Sequence, residues 1–126
     1  MARILVVDDD KDIIEIVKYT VAEDGHEVLQ ASNGREGLER ATRERPDLII
    51  LDIMMPEMDG FTMNTHLTAQ AATKDIPVII LTAKGQMRDT FVSAPNVQSY
   101  MNKPFEPTAL QDAIRAVLAK KSAKPK

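Results

Sequence analysis

The most constraining feature of this chain is a set of short runs, rich in apolar residues, that each lead into a polar residue. Four such runs lie at Ile4–Val7, Leu48–Leu51, Val78–Leu81 and Val97–Met101, and the first three are continuous. Continuous apolar runs of this length are typical of strands buried on both faces of a parallel sheet. Because the carboxyl ends of parallel strands lie on one edge, we expect the polar residues that follow the runs to meet there.

Helix-like stretches alternate with these strands. A further strand is expected from His26 to Ala31, and the strand of the third run is expected to begin at Ile76. Helices are predicted at 13–21, closed by Gly25; after Asn33, with Glu36 at capping-box spacing; for about ten residues from Phe61; at 86–93, ended by Pro95; and from Pro107. Five such units predict an α/β fold, a doubly wound five-stranded parallel sheet of order 2-1-3-4-5 with helices on both faces. Its ligand crevice lies between the first and third strands.

Length and composition limit the alternatives. With 126 residues the chain suits one domain, which we place at 1–119, followed by a basic tail at 120–126 that we expect to be frayed. The net charge of −3 gives no reason to expect general affinity for nucleic acid. No apolar stretch approaches the roughly 20 residues that span a bilayer, and the absence of cysteine fits a reducing cytoplasm.

The polar residues at the predicted sheet edge carry complementary chemistry. Asp8 and Asp9 follow the first run, Asp52 follows the second, Thr82 the third, and Lys103 stands just beyond the last. Three carboxylates beside one ammonium and one hydroxyl suggest a site for a divalent cation and a phosphoryl group.

These residues resemble the receiver domains of two-component response regulators, including single-domain chemotaxis-type regulators. The resemblance covers Ile4 to about Leu118 and rests on four motifs in order: Val-Val-Asp-Asp-Asp at 6–10, Asp-Ile-Met-Met-Pro-Glu-Met-Asp-Gly at 52–60, Leu-Thr-Ala-Lys at 81–84 and Lys-Pro-Phe at 103–105. It implies the flavodoxin-like, three-layer fold of that family.

The resemblance also implies a metal site and a phosphoacceptor. Asp9 and Asp52 would ligate Mg²⁺ or Mn²⁺ directly, Met54 through its backbone carbonyl, and Asp8 mainly through a water. Asp52 would accept a phosphoryl group from a histidine kinase or a histidine phosphotransfer protein, with Lys103 countering the repulsion between the two anions. The chain would catalyse its own phosphorylation and dephosphorylation rather than act as a conventional turnover enzyme.

A conformational switch is implied in the same way. Thr82 would move toward the phosphoryl group and let Tyr100 turn inward, while a cis peptide bond at Pro104 aims Lys103. The output would be a protein partner bound at the face of the predicted fourth helix, the fifth strand and the last helix, by a monomer or a phosphorylation-dependent dimer. The interval between Thr82 and Lys103 is shorter than is usual in the family, which predicts a short or irregular fourth helix.

Each assignment has a simpler alternative. Asp10 is best interpreted as a helix N-terminal residue, and Asp8 and Asp9 could be caps as well. Thr82 could be an ordinary strand residue, Lys103 a surface cation and Tyr100 static core packing. His26 and His66 stand apart from other ligand-type residues, which favours surface or structural roles.

Two alternatives to a single-domain phosphoacceptor remain at the level of function. The chain could be a pseudo-receiver that acts as a constitutive interaction module, or the receiver of a longer regulator with an output domain. A phosphatase with an aspartate nucleophile normally has an acid two residues further on, where this chain has Met54. Direct DNA binding is not expected, because nothing after Leu118 could form a recognition helix.

Overall fold

A computed structural model describes residues 2–53, 55, 57–83, 95–103 and 105–123. The strands and helices of this part of the chain follow one another as β1 (Arg3–Val7), α1 (Lys11–Glu23), β2 (Glu27–Ala31), α2 (Gly34–Glu44), β3 (Leu48–Asp52), α3 (Gly60–Ala69), β4 (Val78–Ala83), β5 (Val97–Lys103) and α4 (Pro107–Ala123). The helix labelled α4 is therefore the last helix of the sequence-based prediction. None of the helices in the described ranges is both long and apolar enough to cross a membrane.

The sheet confirms the predicted architecture. All five strands are parallel, and their order is β2-β1-β3-β4-β5. Val7 pairs with Leu51, so the next residues along the two strands, Asp8 and Asp52, stand level at the carboxyl edge. The strand order reverses beside β1, which places the expected ligand crevice between β1 and β3.

The continuous apolar runs arise because both faces of the sheet are covered. Alternate strand residues enter two clusters: Ile4, Val6, Leu48, Ile50, Ile79 and Leu81 face α1 and α4, while Leu5, Val7, Ile49, Leu51, Val78 and Ile80 face α2 and α3. We call these the first and the second cluster. Every residue of β3 is buried, so Asp52 is the end of a strand that has no solvent-facing side.

Two helix ends lie at the local sequence signals that predicted them. Gly25 follows α1 with a φ of 82°, a conformation that glycine adopts without a Cβ clash, and its N–H donates to Ala22 O at 2.9 Å. Asn33 caps α2 by accepting from Glu36 N at 2.8 Å. The Glu36 carboxylate reaches back one residue further than a capping box requires, to Ser32 N at 2.9 Å.

Several element boundaries differ from the sequence-based expectation, and those of β4, β5 and α4 are informative. β4 begins at Val78 rather than Ile76, because Ile76 is buried in the preceding turn, where its N–H donates to Thr73 O. β5 continues beyond Met101 to Lys103. α4 continues to Ala123, so the backbone of the first part of the predicted frayed tail is helical. The helix predicted at 86–93 and the last three residues of the tail lie outside the described residues.

Candidate metal centre

Three carboxylates converge at the carboxyl edge between β1 and β3. One side-chain oxygen from each of Asp8, Asp9 and Asp52 can be chosen such that all three lie within 4.8 Å of one another. Asp8 and Asp52 are 0% and 3% exposed, whereas Asp9 is exposed. A hard cation such as Mg²⁺ takes oxygen ligands and keeps several waters, so two buried carboxylates and one at the solvent boundary fit such an ion. Without a cation, three clustered negative charges repel one another.

The turn after β1 orients Asp8. Its N–H donates to Ala31 O of β2 at 3.1 Å, and its Oδ1 accepts from Asp10 N at 2.9 Å. Asp10 itself caps α1, because its Oδ1 accepts from Asp12 N at 2.9 Å. The interpretation of Asp10 as a helix N-terminal residue is therefore confirmed. Its backbone N–H also holds the Asp8 carboxylate in place.

Asp52 is followed by residues 53–59, which we call the β3–α3 loop and of which 53, 55 and 57–59 are described. Gly60 N donates across the loop to Ile53 O at 2.8 Å, and Asp59 caps α3 by accepting from Thr62 N at 2.8 Å. A Cβ at Gly60 would stand 2.5 Å from Asp52 O, closer than real Cβ contacts come. The glycine thus lets α3 start against the end of β3.

One contact of this loop was not predicted from the sequence. Gly34, the first residue of α2, donates its N–H to Met58 O at 3.0 Å. The only sequence signal was a glycine directly after the capping Asn33, a helix position that does not by itself require glycine. The partner carbonyl is far along the chain, and no local pattern identifies it.

The backbone places two more predicted residues at this edge. Thr82 follows Leu81, which pairs with Asp52, and Lys103 pairs with Ala83. The side chains of Thr82 and Lys103 lie outside the described part of the structure, as do Met54 and Pro104 altogether. Their roles stay predictions.

The structure also describes Tyr100 and the two histidines, and the switch role of Tyr100 stays a prediction. Tyr100 is half-buried in β5, and it packs against the second cluster. His26 Nδ1 accepts from Ala2 N at 3.0 Å near the amino ends of β1 and β2, on the edge opposite the carboxylates. His66 is exposed in the last turn of α3.

The fold and the site together define a class: a doubly wound α/β protein with an acidic, cation-compatible cluster at its topological switch point. Comparisons with known proteins narrow this class. The family model described as response regulator receiver domain matches residues 4–115. The chain therefore belongs to the receiver-domain family of two-component response regulators.

Individual relatives are consistent with this family assignment. The chain is 40% identical to Protein PilH of Pseudomonas aeruginosa over 94% of its own length and 99% of that protein. It is 37% identical to the alkaline phosphatase synthesis transcriptional regulatory protein PhoP of Bacillus subtilis, covering 92% of this chain but only 48% of PhoP. The chain thus spans about half the length of PhoP and almost all of PilH.

Solved structures show the same fold. The chemotaxis protein CheY4 of Vibrio cholerae superposes with a TM-score of 0.85 at 33% identity, covering 93% of this chain and 98% of that one. The receiver domain of a signal transduction histidine kinase from Syntrophus aciditrophicus gives a TM-score of 0.88 at 30% identity, covering 100% and 96%.

Proposed function

We propose that this chain is a catalytically competent phosphoacceptor, which takes a phosphoryl group from a phosphohistidine donor onto Asp52 in a Mg²⁺-dependent reaction. The observation that carries the proposal is the convergence of Asp8, Asp9 and Asp52 within 4.8 Å at the sheet edge where such folds bind ligands. Receiver domains interact with histidine kinases or phosphotransfer proteins, and the donor is expected from that group.

The chemistry needs no general base. The Asp52 carboxylate is a nucleophile in its ionised form, and one of its oxygens would attack the phosphorus atom of the donor. A P–O bond forms as the P–N bond to the donor imidazole breaks, and the leaving nitrogen keeps the electron pair and is protonated. The product is an aspartyl phosphate.

The remaining obstacle is repulsion between two anions, and the residues at the sheet edge are suited to reduce it. Asp9 and Asp52 are the proposed direct ligands of Mg²⁺, with Asp8 acting through a water and Met54 through its carbonyl. When bound, the metal ion supplies positive charge for the transferring phosphoryl oxygens. Lys103 adds a second positive charge, and Thr82 donates a hydrogen bond to a phosphoryl oxygen.

The aspartyl phosphate is a mixed anhydride, and its hydrolysis would end the signal. A water oxygen attacks phosphorus, the P–O bond to Asp52 breaks, and the carboxylate and inorganic phosphate are released. While the phosphoryl group is present, Thr82 and Tyr100 would shift between two packings and change protein binding at the face of the helix predicted at 86–93, of β5 and of α4. We expect this change in protein binding to take place in the cytoplasm, with the chain acting as a monomer or as a phosphorylation-dependent dimer.

Small-molecule phosphorylation tests the proposal directly. The full chain is incubated with acetyl phosphate, with and without Mg²⁺, and analysed by intact mass and peptide mapping. We expect one Mg²⁺-dependent adduct on Asp52 that is sensitive to hydroxylamine, as an acyl phosphate is and a phosphate ester is not. Asp52→Asn keeps the size of the side chain but removes the nucleophile, and the adduct should disappear.

Asp10→Asn is the matched control, because asparagine caps a helix as well as aspartate does and Asp10 lies outside the carboxylate cluster. This variant should still be phosphorylated. An adduct that persists in Asp52→Asn would contradict the assigned acceptor. A wild-type chain that takes up no phosphoryl group would favour the pseudo-receiver instead.

A further inference from the structure

The N-terminus of α2 is in direct contact with the loop that leaves the metal centre. The first amides of a helix have no intrahelical acceptor and need partners from elsewhere. In α2 the Asn33 side chain satisfies Glu36 N, whereas Gly34 N donates to Met58 O at 3.0 Å. One of the acceptors at this helix start therefore belongs to the β3–α3 loop.

The same contact leaves no space for a side chain on Gly34. A Cβ built there would collide with Met58 O and stand 2.8 Å from Met58 C. Both are backbone atoms, so a change of side-chain rotamer cannot relieve the collision. Any larger residue at position 34 must push the loop away from α2.

A displacement at Met58 would reach Asp52 because the loop is held on its other side as well. Gly60 N donates to Ile53 O at 2.8 Å, which ties the end of the loop back to the residue after Asp52. Met58 is also half-buried against the second cluster, so it has little freedom to absorb the shift.

We propose that Gly34 is a positioning residue for the metal centre. Its amide and its missing Cβ hold Met58 of the β3–α3 loop against α2, and this contact, together with the one from Gly60 N to Ile53 O, keeps Asp52 arranged for the cation. This inference rests on the proposed function, since it assumes that these residues bind Mg²⁺. It also predicts that Mg²⁺ binding orders the start of α2, which holds no proposed ligand.

The test compares two glycine-to-alanine variants of the full chain by calorimetric titration with Mg²⁺. Gly34→Ala should weaken Mg²⁺ binding about ten- to a hundredfold, the range typical when a residue that supports metal ligands is lost. In the matched control, Gly25→Ala, the alanine is strained by a φ of 82°, but it has no atom within 4 Å and lies at the opposite edge of the sheet. Gly25→Ala should lose stability yet bind Mg²⁺ as the wild type does.

Hydrogen exchange in the wild type gives a second readout that needs no variant to fold. The Gly34 amide should exchange several-fold more slowly with saturating Mg²⁺. The Gly25 amide, which donates to Ala22 O at 2.9 Å, should be unaffected.

The outcomes separate this inference from the proposed function. Unchanged Mg²⁺ affinity in a folded Gly34→Ala, or a Gly34 amide indifferent to bound Mg²⁺, would overturn the positioning role while leaving Asp52 phosphorylation intact. A wild type that binds no Mg²⁺ in the titration would overturn the proposed function itself.

Discussion

Among the described residues, two that are not glycine have a left-handed backbone conformation, and both lie in connections between elements. Arg45, directly after α2, has a φ of 46°, and Glu57, in the β3–α3 loop, has a φ of 70°. Left-handed backbone costs an ordinary L-residue about 1–2 kcal/mol, while glycine adopts it freely. The chain accepts this cost at the end of α2 because the backbone must turn there before Pro46 and β3.

Arg45→Gly should therefore stabilise the protein. Relief of the left-handed strain outweighs the extra flexibility of glycine in the unfolded chain, for a net gain of about 0.5–1 kcal/mol in the free energy of unfolding. Urea unfolding, followed as the shift in midpoint at constant slope, measures the change. Arg43→Gly is the control, since the same substitution inside α2 should cost about 1 kcal/mol. If both variants were destabilised alike, the strain at Arg45 would be refuted.

At the scale of elements, one arginine ties the start of β1 to the end of α2. Arg3 Nη2 lies 2.6 Å from Glu44 Oε1, and Arg3 Nη1 donates to Glu44 O at 2.9 Å. The backbone N–H of Arg3 also donates to Asp47 Oδ2 at 2.9 Å, just before β3. The hydrogen bond from Arg3 is the largest cause that lowers the pKa of Glu44 below its ordinary value.

This ion pair should appear as a pH dependence of stability. A carboxyl group whose pKa is lowered by folding stabilises the fold above its unfolded pKa, about 4.3 for glutamate. That contribution is lost as the pH falls through the lowered value. Arg3→Gln should therefore be less stable than the wild type at pH 7, by a small margin because both side chains are partly exposed, and the difference in the free energy of unfolding should narrow below about pH 4.

Urea midpoints measured between pH 3 and pH 7 would check this, over a range chosen to bracket the ordinary glutamate pKa of about 4.3. Arg35→Gln is a suitable control, because Arg35 lies 4.0 Å from Glu57 and both side chains are largely exposed. Its gap to the wild type should be close to zero throughout. A gap for Arg3→Gln that stays constant from neutral to acidic pH would rule out Glu44 as its source.

The elements that could be predicted from the sequence are those whose signal is local. The runs at β1 and β3, the capping Asn33 and the turn at Gly25 each carry their cause within a few residues, and each was confirmed. Ile76 shows the limit of this reasoning. An apolar run reports burial, and Ile76 is buried, but pairing in a strand depends on a neighbouring backbone that the run does not reveal.

The same distinction between local and long-range signals applies to the candidate site. The sequence indicated that Asp8, Asp9 and Asp52 would meet, because parallel strands share an edge, and the three are brought together. It did not indicate that Gly34 would hold the loop after Asp52, because that contact depends on how α2 and the loop pack in three dimensions. Long-range backbone contacts of this kind have no periodicity to detect.

On the scale of the whole molecule, stability and function compete at the sheet edge. The two clusters bury apolar residues on both faces of the sheet and supply the stability, while the carboxylates stand where the strands end. The three clustered acids repel one another, and the net charge of −3, which includes them, means that the rest of the chain does not neutralise this repulsion. A bound cation would turn this local cost into a stabilising interaction.

Asp9→Asn tests this balance between repulsion in the metal-free protein and stabilisation by the bound cation. Asp9 is the exposed member of the cluster, and removing its charge should stabilise the metal-free protein slightly, by about 0.5 kcal/mol or less. A ligand present at a hundredfold over its dissociation constant stabilises the folded state by about 2.7 kcal/mol, and Asp9→Asn should lose most of that gain. Thermal unfolding should therefore give Asp9→Asn the higher melting temperature with EDTA and the wild type the higher one with Mg²⁺.

Asp10→Asn, which changes the neighbouring acid outside the cluster, should keep the full Mg²⁺-dependent rise in melting temperature. If Asp9→Asn responded to Mg²⁺ as strongly as the wild type does, the cation would have to bind elsewhere, and the carboxylate cluster would be only a set of helix and strand ends.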